Sequence, residues 1–389
     1  MSFDDTNSLV GTAQYALLPF LNGRGAARVT EVATWPPTAR KAQAVTVEHR
    51  HRFARAVLGP LAWCATAVTV SAVLSLVPGA TTGDTAVPGV PAPSDVVAAG
   101  VSVARVLLVG AITATLGLNL VPLLFSPREQ VVTAPLRLRA YRGAAGAALC
   151  WLVCATASVV LQTADLAGTA AVTTAQVRTY VGGFGSGQAL VCEMVVAAVA
   201  LAAAVRGRRS GTTLVARLLV LCAAAGLLLL VAAGHSGERS ERWHDLATVS
   251  LELHVFAAAL WTGGLGATLA LLSSDRALLS RALPRYSPLA GGCLLVVAVT
   301  GVLNAVVALS ARPGTVPLPE LLTSGYGLLV ILKAGCLCLL AAIGGHIRHR
   351  LLPAVRRADR TSVALWGCWE LGIMGVAFGL AAVLARSAV

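Results

Sequence analysis

Long apolar runs, each closed by glycine, proline or a group of charged residues, set the rhythm of this chain from Phe53 to its end. Many extend for about eighteen residues or more with almost no charge, the length that a hydrocarbon core about 30 Å thick demands of a helix. Reading those runs against their breakers predicts helices at 53–77, 96–125, 143–163, 188–205, 213–234, 246–272, 287–310, 327–346 and 364–386. The alternating segments of about ten residues that a spanning barrel requires are absent. The expected fold is therefore all-α, a polytopic bundle of about nine transmembrane helices. Residues 1–52 break the pattern: Gly23, Gly25, Pro36 and Pro37 precede a basic end with Arg40, Lys41, Arg50 and Arg52. They read as a disordered cytoplasmic tail with weak affinity for anionic membrane lipid. The first apolar helix, in place of a cleaved leader, is expected to act as the targeting signal.

Composition agrees with a bilayer as solvent. Hydrophobic residues make up 57% of the chain and charged residues only 12%, with a mean hydropathy of +0.78; soluble chains of this length carry more charge. A net charge of +13 raises the question of a nucleic-acid partner. The basic residues are dispersed among short loops and form no single polar face, so no nucleic-acid partner is expected. Orientation explains them better. With the tail inside, the inner segments together with the adjoining span ends at Arg55 and Arg217 hold 23 of the 30 Lys and Arg, whereas the outer segments hold Arg178, Arg239, Arg242, Arg312 and Arg386. The positive-inside rule then places the N-terminus inside and the C-terminus outside the cytoplasmic membrane. The segment 78–95, with Asp84 and Asp95 and no basic residue, is the clearest outer loop. All nine cysteines fall within or beside apolar runs, which argues against a disulfide framework and for small buried hydrophobes.

Candidate chemistry follows from which polar side chains the pattern sinks into lipid. His49 and His51 lie in the tail, and His346 and His349 at the inner end of the eighth run. Three histidines face outward: His235 after Gly234, His244 in a short charged loop, and His254 within the sixth run. Eight residues beyond Leu246, His254 lies about 12 Å along its helix, inside the hydrocarbon, where an ionisable group is by default a functional candidate. Trp261, seven residues on, shares its helical face, and Gly263 and Gly264 permit close approach of another helix. Imidazole suits copper, zinc, iron or nickel, and soft sulfur suits Cu(I). An interhelical hydrogen bond is the plain alternative for His254, a helix terminus for His235 and a solvated loop residue for His244. Arg105, Asn119, Glu193, Glu252, Asn304, Lys333 and Glu370 are further polar residues within runs. Lys333 and Glu370 lie near opposite surfaces and need not pair. Besides the initiator only Met194 and Met374 occur, too few for a methionine ladder.

From about residue 230 the order of these features resembles the copper resistance D family of bacterial inner-membrane proteins. Ala232-Ala233-Gly234-His235 is followed by Leu253-His254 through Trp261-Thr262-Gly263-Gly264-Leu265, similar to the His-helix of that family. Arg285-Tyr286-Ser287, Val299-Thr300-Gly301-Val302-Leu303-Asn304-Ala305, Tyr326-Gly327 through Lys333, and Glu370-Leu371 follow in order. The chain then divides into the tail, N-terminal helices over 53–229 and a copper resistance D-like domain over 230–389. At the place in the fourth run where the family suggests a basic residue, this chain has Glu193.

The resemblance implies copper as the ion handled, either uptake across the cytoplasmic membrane or copper resistance and homeostasis, with a small copper resistance C-type copper-binding protein as an outer-side partner. Residue placement is compatible with that: His235, His254 and His244 are candidate copper ligands, with Trp261, Gly263, Gly264, Lys333 and Glu370 supporting. Nothing resembles a P-loop, so ATP-driven pumping by the chain is not supported, and the chain is expected not to be an enzyme. Two other readings stay open: a membrane electron carrier with His235 and His254 as axial ligands to a b-type haem, and an assembly partner that delivers copper to a terminal oxidase without moving it.

Overall fold

In the computed structural model of the chain the described residues are 59–74, 95–129, 132–169, 171–232, 241–310, 321–322, 324–357 and 362–385. The tail, residues 78–94 of the expected outer loop and His235 lie outside them. Every regular element among the described residues is helical. The short apolar helix α1 spans Gly59–Leu74. It is followed by α2 (Asp95–Leu123), α3 (Ala134–Ala167), α4 (Thr174–Gly183), α5 (Gly185–Ser210), α6 (Thr213–Ala232), α7 (Glu241–Leu272), α8 (Arg276–Ser310), α9 (Gly325–His346) and α10 (Val363–Leu384). Eight of these, α2, α3 and α5 to α10, are long and apolar enough to cross a membrane. α1 is shorter.

Hydropathy marks the lipid-buried part of each span but not its ends. α3 begins nine residues before the predicted 143 and α8 eleven before 287, because polar flanks such as Arg137, Arg139, Arg281 and Arg285 continue the helix into the interfacial zone. α7 likewise starts at Glu241, so His244 is a helical residue and not a loop residue as its charged neighbours suggest. α4 was not expected. A capping box fixes its start: the Thr173 hydroxyl accepts from the Gln176 N–H and the Gln176 side chain accepts from the Thr173 N–H.

Four N-terminal helices close a ring in which α2 packs on α3, α3 on α5, α5 on α6 and α6 back on α2. Its core holds Trp151, Tyr141, Leu219 and Leu227, all almost fully buried. α7 packs against α2 of that ring and against α8, and α10 packs on α9 and α7. The helix crossings rest on glycine. A Cβ at Gly117 would lie 1.9 Å from the Gly263 carbonyl oxygen, and one at Gly263 would lie 2.3 Å from that of Thr113. At Gly375 a Cβ would meet Thr66 Oγ1 at 2.1 Å, which seats α1 on α10. Outward faces carry Leu149, Val153, Val195, Leu221, Leu295, Val299 and Leu328, all exposed. Such a continuous apolar exterior suits lipid and would be a liability in water.

One end of the bundle gathers the basic loops. Arg137 Nε donates to the Gly211 carbonyl at 3.1 Å and the Tyr141 hydroxyl to that of Thr212 at 2.6 Å. Beside them Glu129 accepts from Arg285 Nη1 at 2.9 Å, and Arg281 stands 3.8 Å away. The hydrogen bond from Arg285, followed by those from Ser126, lowers the Glu129 carboxyl from 4.5 to about 2. A depressed native value means that the clamp contributes fully above pH 4.5 and is lost as pH falls through about 2. A plot of thermal midpoint against pH should therefore fall across that window in the wild type. In Glu129→Gln this component should be missing, with no change in slope at neutral pH.

Candidate intramembrane ion site

His254 is 8% exposed and lies on α7 against α8. Its Nδ1 and Thr300 Oγ1 are 3.0 Å apart, and Thr300 in turn donates to the Val296 carbonyl. One turn earlier, Ser250 Oγ donates to the Thr300 carbonyl at 3.4 Å. Gly301 keeps the facing surface flat, since a Cβ there would contact His254 Cε1 at 3.4 Å. Lys333, half-buried on α9, lies within electrostatic range of the imidazole. The three helices deliver these groups to similar depth. His254 is eight residues from Leu246, Lys333 eight from Gly325 and Thr300 ten from Ser310, which is about 12 to 15 Å from the end opposite the basic loops.

A second polar group lies two turns further along α7. Trp261, 4% exposed, donates through Nε1 to Glu370 Oε1 on α10 at 3.1 Å. Its carbonyl accepts from the Tyr286 hydroxyl of α8, and Gly264 provides room for that ring, as a Cβ there would lie 2.4 Å from it. Thr262 Oγ1 donates to Met374 Sδ at 3.3 Å. Trp261 is thus bound to the carboxyl of α10, while His254 is bound to α8. Lys333 and Glu370 belong to these two different groups, and among the described residues neither forms an ion pair.

A third group is in the N-terminal ring, where Trp151 Nε1 donates to Glu193 Oε2 at 2.8 Å. The sequence singles out the glutamates and Trp261 but neither Trp151 nor the pairing of either indole with a carboxyl, and it holds Thr300 and Tyr286 only as members of segments that carry the family resemblance. Side-chain pairing across helices depends on packing, which spacing along one helix does not specify.

Among the described residues no three His, Cys, Asp or Glu side chains converge as a metal cluster. The side chain of His244 and all of His235 lie outside the described residues, so the described part of the candidate site consists of one imidazole with a hydroxyl neighbour and an ammonium within electrostatic range. Imidazole is a ligand suited to copper, and a hydroxyl on Nδ1 orients the ring as outer partners of ligating histidines do.

Apolar spanning helices packed around a buried imidazole, an ammonium and two carboxyls define a polytopic helical membrane protein with an ionisable interior. Two family models match this chain: Copper resistance protein D over residues 280–384, and Copper resistance protein D-like, N-terminal domain, over residues 94–242. Together they cover most of the chain, which belongs to the copper resistance D family and is a multi-pass membrane protein of copper resistance. Comparison with curated proteins and with solved structures gave no match.

Proposed function

We propose that this protein carries copper ions inward across the cytoplasmic membrane, with α1 as a ninth span, the basic loops inside and the His254 end outside. The observation that carries this reading is the burial of His254 between α7 and α8 at hydrocarbon depth, where an ionisable group marks an ion path. His244, at the start of the same helix, and His235, just before it in the chain, complete the entry site. Glu370 offers a carboxyl two helical turns further in, held by Trp261. Lys333 opposes a cation resting at His254, which suits a carrier that must bind an ion and also let it go. Copper is here the cargo. A copper resistance C-type copper-binding protein at the outer face would supply it.

Direction rests on orientation, so orientation is the property to measure. Single cysteines at Asp84, Ala388 and Arg357, scored against native-thiol background in intact cells, should report it. Asp84→Cys and Ala388→Cys should react with an impermeant thiol reagent, and Arg357→Cys only after the membrane is opened. Labelling of Arg357→Cys in intact cells would put His254 at the cytoplasmic side and overturn uptake.

A further inference from the structure

Glu193 has no place in the copper path proposed above. It is 1% exposed, in the core of the N-terminal ring, eight residues along α5 from Gly185 and hence about 12 Å from that helix end. Trp151 holds Oε2, and Oε1 is buried with no hydrogen-bond partner among the described residues. The fold makes room for this pair. A Cβ at Gly226 of α6 would lie 2.3 Å from the Trp151 ring and 3.2 Å from Glu193 Oε2.

The titratable groups of the same core are Cys154 and Tyr141 on α3, Tyr180 on α4 and Cys222 on α6, all thiols and phenols. Arg105, the cationic residue of α2, is on the helix diagonal to α5 in the ring. Among the described residues no metal-binding group of three includes Glu193. A carboxylate there would have one oxygen satisfied by an indole and, among the described residues, no cation in a salt bridge with it. Buried charge without a partner is costly enough that such a group takes up a proton instead. The neutral acid fits what surrounds it, with the carbonyl oxygen accepting from Trp151 and the hydroxyl oxygen left in the unpartnered position. An acidic side chain placed this way inside a bundle is the element from which intramembrane proton relays are made.

We propose that Glu193 is an intramembrane proton-binding site of the N-terminal helix ring. The inference does not depend on whether the chain moves copper. Glu193→Gln keeps the volume and the acceptor for Trp151, so the variant should fold.

The test is infrared difference spectroscopy of the full-length protein in lipid, wild type minus Glu193→Gln, in H2O and D2O. The expected difference is one protonated-carboxyl stretching band that shifts in D2O and is lost as the pH is raised. A pair of carboxylate bands in its place would overturn the proposal. So would a protonated band that stays unshifted after prolonged exposure to D2O, because the proton would then be locked in place. Wild-type protein alone gives a second reading. A lipid-soluble carbodiimide should modify Glu193, as it does protonated carboxyls in apolar surroundings, and leave Glu129 untouched. Modification of Glu129 without Glu193 would contradict the assignment.

Discussion

Adding a single methyl group at Gly117 or Gly263 should prevent the protein from reaching its folded state. The atoms in the way are backbone. A Cβ at Gly117 would sit 1.9 Å from the Gly263 carbonyl oxygen and one at Gly263 would sit 2.3 Å from that of Thr113. A flexible side chain could swing aside, but here α2 and α7 must separate, and they form the main junction between the N-terminal ring and the C-terminal helices. Overpacking of cores typically costs about 1–3 kcal/mol, and displacement of whole helices belongs at or above the upper end. In membranes the loss is sharper, because close packing of small residues is itself a principal source of helix association. Gly146→Ala is the control, as nothing lies within 4 Å of a Cβ there. Size-exclusion profiles in detergent at matched expression should show Gly146→Ala as a single wild-type-like peak. Gly117→Ala and Gly263→Ala should be aggregated or absent, and a wild-type profile for either would show that the crossing can open.

His254→Ala should remove copper binding while leaving the fold intact. The structural loss is one interhelical hydrogen bond to Thr300, and such bonds average about 0.6 kcal/mol in membrane proteins. The loss of a ligand is much larger. Outer partners of metal ligands alone are worth about 10–100-fold in affinity, so the fall for His254→Ala should be about 100-fold or more. Thr300→Val separates the two roles of the residue. It removes the same hydrogen bond but keeps the imidazole, and should cost about tenfold. Copper titration of purified variants checks both. Equal, small losses in the two variants would make His254 a packing residue.

Much of this architecture was legible because a bilayer leaves a strong mark on sequence. Apolar runs located α2, α3 and α5 to α10 to within their polar extensions, and the glycines of Gly263-Gly264 announced a close crossing. The short helix α4 was readable in principle from Thr173 and Gln176, spaced for a capping box, but its residues are neither apolar nor long enough to register as a span. The depth of His254 followed from counting residues. Its partner did not, because Thr300 is reached through the packing of α7 on α8. The same is true of the indoles of Trp151 and Trp261, which lie far along the chain from Glu193 and Glu370. Family resemblance carried Thr300 and Tyr286 as members of ordered segments without indicating what either one touches.

In the proposed function His254 is part of a route for copper through the membrane, and copper entry into sealed vesicles measures that directly. Purified wild-type protein reconstituted into liposomes under an imposed copper gradient should load the interior faster than protein-free liposomes. His254→Ala, at equal reconstituted amount, should fall to the protein-free rate. Wild-type entry no faster than in protein-free vesicles, or equal entry for wild type and His254→Ala, would contradict it.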